Sequence, residues 1–174
     1  MKGNDIMSNF KEISVSEIEK NIFDLIGKDW GLVTVQNGDG CNMMTVSWGG
    51  AGIMWNRPVA FTFIRPQRFT YGLLENNDCF TLSFYGEEYK KALNFCGTKS
   101  GRDYDKVKEC GFTPVYDEVA PYFAEAELVL VCKKMYAQEL NEESIISEKI
   151  VSPNYSGDDF HKMYISEIIK VLKK

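Results

Sequence analysis

The chain has little with which to hold a metal and no excess of the charge that reads nucleic acid. It carries a single histidine, His161, and none of its cysteines stands in a Cys-x-x-Cys pair, so metal catalysis and a zinc site have no ligand set to build on. The cysteines, Cys41, Cys79, Cys96, Cys110 and Cys132, are five, an odd number that indicates no disulfide framework. The net charge is −5, which disfavours a general nucleic-acid binder, because neutralising phosphates takes clustered Lys and Arg. The basic cluster Lys170-Val-Leu-Lys-Lys174 reads as a solvated tail. No apolar run approaches the ~20 residues of a membrane span. Met1 to Phe10 lacks the apolar core of a signal peptide, and a cytoplasmic protein is expected. Three nucleotide and hydrolase signatures are missing as well: Gly-x-Gly-x-x-Gly after the first strand, Gly-x-x-x-x-Gly-Lys-[Ser/Thr], and Gly-x-Ser-x-Gly. Their absence argues against a Rossmann site, a P-loop and an α/β-hydrolase.

What is present is a globular composition. Apolar residues make up 44% and aromatics 13% of 174 residues, enough for one domain with a substantial core over 1–174 and too apolar for disorder. No internal repeat or linker interrupts it, and the first ten residues or so read as peripheral.

The periodicity predicts a helix over 13–28, with Ile18, Ile22, Leu25 and Ile26 on one face, Ser14 or Ser16 as N-cap and Gly27 near the stop. Residues 30–48 read as a hairpin around Asn37-Gly-Asp-Gly40. Gly49 to Gly52 reads as a loop leading to a strand over 58–64. A short helix after Pro66 ends near Asn76-Asn77, a strand covers 79–85, and a helix over 87–95 is stopped by Gly97. Residues 96–106 form a polar loop bounded by glycines, feeding a short helix up to Gly111. Strands are expected over 124–140, 145–151 and 161–172. Six or seven strands, few short helices and no βαβ rhythm predict a mainly β fold, an antiparallel barrel with helical insertions.

Chemistry concentrates in residues 42–72. One strand ends in Thr45, Ser47 and Trp48, followed at once by Gly49, Gly50 and Gly52. The next ends in Arg65-Pro-Gln-Arg-Phe-Thr-Tyr71. Arg65, Arg68 and Thr70 offer guanidinium and hydroxyl donors suited to a phosphate, and Pro66 sets up a helix N-terminus, a natural anion site. Trp48 and the glycines offer a flat apolar surface that a planar ring can approach. A phosphate site beside a ring site implies a nucleotide-like cofactor. Each part also has a plainer reading: a surface turn with two solvated arginines, a core tryptophan, ordinary strand alternation. Cys96 beside Gly97 invites a nucleophile, yet no partner base can be named, and a packed thiol is the alternative. His161 is either structural or a donor placed over a ring.

Taken in order, Asn42-Met-Met-Thr-Val-Ser-Trp-Gly49, Arg65-Pro-Gln-Arg-Phe-Thr-Tyr71, Cys79-Phe-Thr-Leu-Ser-Phe84, Cys96-Gly-Thr-Lys-Ser-Gly-Arg-Asp-Tyr-Asp-Lys106 and His161-Lys-Met-Tyr-Ile-Ser-Glu-Ile168 resemble the flavin reductase-like family. Within it the closer likeness is to flavoredoxin-like proteins of the FMN-binding split-barrel fold. The resemblance runs from about Trp30 to Ile169, with Ser166 where the family usually has glycine. It implies a six-stranded antiparallel Greek-key barrel that dimerises and binds FMN near the subunit interface. By the same resemblance Thr45, Ser47, Trp48 and Gly49 would line the isoalloxazine and ribityl region, and Arg65, Arg68 and Thr70 would hold the phosphate. Cys96, Gly97, Ser100 and Gly101 would form the adjoining loop, with His161 near the ring. The expected function is an FMN-binding oxidoreductase working between NADH or NADPH, flavin and an acceptor that includes a redox protein partner. The alternatives are a non-catalytic electron carrier and a flavin or haem storage or sensing protein. No catalytic acid–base pair is expected, because the flavin carries the chemistry.

Overall fold

A computed structural model describes residues 9–174. Its centre is one antiparallel sheet. The strands are β1 (Lys11–Ile13), β2 (Gly31–Asn37), β3 (Gly40–Val46), β4 (Gly49–Met54), β5 (Arg57–Ile64) and β6 (Cys79–Phe84). They continue through β7 (Pro114–Val115), β8 (Tyr122–Phe123), β9 (Leu128–Glu139) and β10 (Lys162–Lys173). Eight of them form a single sheet in the order β3-β2-β6-β9-β10-β5-β4, with β1 added to β10; β7 and β8 pair separately. The helices α1 (Phe69–Asn76), α2 (Lys90–Thr98), α3 (Lys106–Cys110) and α4 (Val151–Asn154) are short. The mainly β, antiparallel class is as expected, with more strands than the six anticipated.

The two faces of the sheet explain the strand sequences. Along β2, Val33 and Val35 join an inner cluster with Met44, Val46, Ile64, Phe80, Leu82, Leu130 and Tyr164. Leu32 instead joins Met43, Leu93, Cys96, Phe112, Phe123, Val129 and Val131 between the sheet and α2 and α3. Alternate residues therefore feed two cores, and the first five residues of β2 and of β9 read as near-continuous runs with few polar residues because both faces are buried there. Each fully buried Leu or Phe contributes about 1.5–3 kcal/mol. The long β9 and β10 pair over their whole length, with register shifts between Ile165 and Ser166 and between Ile168 and Lys170. Such irregularities bend a strand and let a sheet curl, and the curl brings β3 close to β5, although the two are far apart in the strand order.

Four expectations are corrected. The helix over 13–28 is broken: Ser14 and Glu17 form a reciprocal capping box around a single turn at Val15–Glu17. Ile18 then turns extended, and a separate π-helical stretch covers Asp24–Asp29. The cap satisfies one turn locally and does not propagate, while Leu25 and Ile26 still reach the inner core. Residues 49–52 are not a loop but the start of β4, paired with β5 through Gly50↔Phe61 and Gly52↔Val59. The hairpin turn joining them places Trp55 and Asn56 at φ 51° and 58°, a primed turn made without the usual glycine. Residues 145–151 are not a strand. Asn141 caps a turn at Glu142–Ser144, and Ile146 is fully exposed and Ile150 half exposed, so these two find no face to bury. Gly97 lies inside α2, which ends one residue later at Thr98.

Gly49 is where backbone geometry decides the residue type. Its φ is +149°, and a Cβ there would stand 2.4 Å from the Phe61 carbonyl oxygen. Gly49→Ala should cost about 1–3 kcal/mol by combining a disfavoured backbone conformation with a main-chain collision. Urea unfolding monitored by circular dichroism should show a lower midpoint at unchanged slope; an unaltered midpoint refutes the close approach.

Candidate functional site

Three strand ends converge. β3 runs out into Ser47 and Trp48, β5 into Arg65, and His161 immediately precedes β10, whose Lys162 pairs with Ile64 of β5. Between them lies a cavity of about 230 Å³ lined by Met44, Thr45, Val46, Ser47, Trp48, Phe63, Arg65, Arg68 and His161. Of the residues singled out in the sequence, Thr45, Ser47, Trp48, Arg65, Arg68 and His161 are thus brought together. Trp48 is half exposed, and the His161 ring stands against it at 4.9 Å between centroids, tilted by 41°. One indole face is therefore held by the imidazole.

The two arginines differ in what they already hold. Arg65 is paired with the Asp159 carboxylate and donates from Nη2 to the Asn154 carbonyl at 2.6 Å. The Tyr155 ring lies 5.3 Å from its guanidinium carbon. Arg68 has no such anchor. It is half-buried, its contact is a long one to the Cys96 carbonyl at 3.4 Å, and among the described residues no carboxylate pairs with it. Burial, and then the neighbouring Arg65 cation, pull its pKa down. A half-buried cation with no counter-ion is the local environment that an anion would relieve. It sits at the N-cap of α1, which no side chain caps, so the first-turn dipole adds to the same field.

The remaining predicted residues lie around this cavity rather than on it. Gly49 follows Trp48 and starts β4. Thr70 is buried in the first turn of α1, where its hydroxyl accepts from Asn42 Nδ2 at 2.8 Å. Thr45, though on the cavity wall, donates its hydroxyl to the Leu93 carbonyl. Cys96 is buried, and it offers Arg68 its carbonyl. Gly97 lets α2 lie on β3: a Cβ there would meet Thr45 Cβ at 3.4 Å. Ser100 Oγ accepts from the Arg102 backbone N–H at 3.2 Å. Gly101 presses on Asn42, whose Oδ1 would be 2.1 Å from an added Cβ. It lines an adjoining cavity of about 380 Å³ with Asn42, Phe69, Tyr104 and Lys106.

Lys106, Asp159 and Tyr155 were not singled out from the sequence. Lys106 is buried, donates to the Met43 and Cys96 carbonyls at 3.0 and 2.9 Å, and has its pKa lowered to about 8, first by burial. Asp105 caps α3 through the Lys108 N–H, fixing the helix start from which Lys106 turns inward; an Asp N-cap directly before Lys106 was the available signal. Asp159 and Tyr155 lie in a polar stretch with no periodicity, and nothing local marks them.

His161 is buried against Trp48, with Nδ1 3.2 Å from the Tyr155 hydroxyl. Burial first, and the Arg65 charge second, lower its pKa to about 4. The folded protein thus holds the neutral imidazole, whereas the unfolded chain protonates it below its ordinary pKa of about 6.5. The sign follows: this contribution to stability is complete above about 6.5 and is lost as pH falls from there towards 4. Because the chain has one histidine, a proton NMR titration reads it without assignment. The expected midpoint is near 4, and one near 6.5 would place the ring in solvent.

Comparison with known proteins agrees with this architecture. The family model described as "Flavin reductase like domain" matches residues 24–171. No curated protein matches the chain. Among solved structures, the chain is similar to a flavoredoxin from Methanosarcina acetivorans, with a TM-score of 0.67, 20% identity, and coverage of 84% of this chain and 68% of that one. It is similar also to an FMN-binding domain of a flavin reductases-like enzyme from Shewanella baltica, with a TM-score of 0.68, 15% identity, and coverage of 95% and 78%. A third is an NADH:FAD oxidoreductase from Streptomyces globisporus, with a TM-score of 0.62, 17% identity, and coverage of 84% and 75%. At these identities the structures speak to the fold, while the family match spans most of the sequence: the chain belongs to the flavin reductase-like family.

Proposed function

We propose that the protein is an FMN-binding oxidoreductase taking electrons from NADH or NADPH. The observation that carries this is Arg68, a half-buried cation without a carboxylate partner among the described residues, lining the same cavity as the Trp48 and His161 rings. A site for an anionic group and a site for a flat ring in one cavity suit a flavin mononucleotide, and the family supplies the chemistry. The named solved structures include FMN-binding and NADH:FAD proteins.

The residues fit this group. Arg68 and the uncapped start of α1 would hold the phosphate, with Lys106 reinforcing the field from behind the Cys96 carbonyl. Arg65 is occupied by Asp159 and Asn154, so its part is to fix the 154–161 segment that carries Tyr155 and His161 against the cavity. Trp48 and Phe63 give apolar walls that exclude water from a ring. His161, neutral at physiological pH, is a hydrogen-bonding group rather than a charge. The bound flavin would supply the hydride and electron transfer, and no side chain is required as a proton donor of matched pKa.

The test is a visible spectrum of the purified protein, before and after anaerobic NADH and NADPH. Flavin bands that bleach with either nucleotide support the proposal and identify the donor. Bands that persist with both point to a carrier or storage role. A colourless protein that fails to take up added FMN overturns the cofactor reading. Arg68→Ala should weaken FMN binding by about 1.5–3 kcal/mol, the worth of a charge-assisted phosphate contact. An unchanged dissociation constant by fluorescence titration would remove Arg68 from the site.

A further inference from the structure

We propose that Cys96 and Cys110 form a redox-active thiol pair, a modification site at which a hydroperoxide closes an intramolecular disulfide between α2 and α3. The two sulfurs stand 3.6 Å apart, in van der Waals contact and fourteen positions apart in sequence. Closure to a bond of about 2.05 Å requires the sulfurs to approach by about 1.5 Å, within reach of side-chain rotation and a small helix shift. The structure thus gives Cys96 a second thiol as neighbour, where the sequence offered it no partner base.

The two cysteines have distinct roles. Cys96 is fully buried, on the face of α2 that packs against the sheet. Cys110 is half-buried at the end of α3, one residue before the left-handed Gly111 that stops the helix. A reagent therefore meets Cys110 first. Lys106, one helical turn earlier on α3, lies close to both thiols, and its ammonium favours their thiolates against the burial that raises both pKa values. The Cys110 thiolate attacks a peroxide oxygen, breaking the O–O bond to give a sulfenic acid and an alcohol or water. The Cys96 sulfur then displaces the sulfenic hydroxyl as water, forming the S–S bond. Two thiols lose two electrons and two protons, and one hydroperoxide is reduced by two electrons.

The position gives the modification a consequence. The Cys96 carbonyl accepts from both Arg68 and Lys106, so the clamp fixes the residue against which the unpaired cation rests. It also ties α3 to α2, shortening the free path of the 99–105 loop that carries Ser100 and Gly101.

The experiment uses the reduced full-length protein treated with hydrogen peroxide, then alkylated, digested with trypsin without reductant, and weighed. The expected product has lost two hydrogens and links the 92–99 peptide, which carries Cys96, to the 109–133 peptide, which carries Cys110 and Cys132. Cys110→Ser should abolish that link, whereas Cys41→Ser and Cys132→Ser should leave it. Closure should accelerate as pH rises, because burial holds both thiols protonated at neutral pH. The oxidised protein should melt at a higher temperature than the reduced one, as a loop closed without strain restricts the unfolded chain. A link from Cys96 to any other cysteine overturns the proposal. So do free thiols at both positions after the equally half-buried Cys79 has been oxidised, and a link that forms only with loss of the cooperative melting transition.

Discussion

The pairing of β10 with β5 is the constraint on which the site depends. Lys162 opposes Ile64 and Met163 opposes Phe63, so one register decides that His161 leaves its strand beside Arg65 and that Phe63 faces the same opening. A one-residue slip would exchange inward and outward side chains along both strands. The inner core opposes it, since Tyr164 and Ile168 would leave the cluster they share with Ile64 and Ala60. The packing energy of buried aromatics thereby holds the functional ends in place, and the cavity is made by strands that core packing has already fixed.

Electrostatics around the opening run against the character of the chain as a whole. The net charge is −5, yet Arg65, Arg68 and Lys106 influence one another's surroundings, and the carboxylate that pairs with one of them is Asp159. The imbalance survives because Asp159 is engaged by Arg65 and does not also reach Arg68. Repulsion and burial destabilise Arg68 and Lys106 as cations, and a locally positive pocket in an acidic protein carries that cost. An anionic ligand would reverse both penalties at once.

Much of this was legible in the sequence. Alternation and turn residues located β3, β5, β6 and β10, and the run of hydroxyl, tryptophan and arginine at two strand ends, together with the lone histidine, marked six of the residues lining the cavity. What was illegible has physical reasons. β4 carries glycines and ends in a Trp55-Asn56 turn that no glycine or proline announces. The segment 145–151 carries four apolar residues but leaves Ile146 and Ile150 exposed, and burial, not composition, makes a strand. Thr70 follows Arg68 closely in sequence, and the first turn of α1 places its hydroxyl where it accepts from Asn42, a contact 28 positions away that spacing could not show. Spacing in sequence could not show that Asp159 would take Arg65, since that pairing spans 94 positions.

The neutral state of His161 completes the electrical shape of the cavity. A protonated imidazole against Trp48 would gain a favourable cation–π contact worth about 0.5–2 kcal/mol. It would also stand in the field of Arg65 in a buried position, and these two costs hold the pKa near 4. Trp48 and His161 are therefore uncharged at physiological pH, while Arg68 is a half-buried cation with no carboxylate partner among the described residues. One cavity thus joins a neutral aromatic wall to an unpaired cation, and Arg65, already neutralised by Asp159, does not compete with Arg68 for an anion.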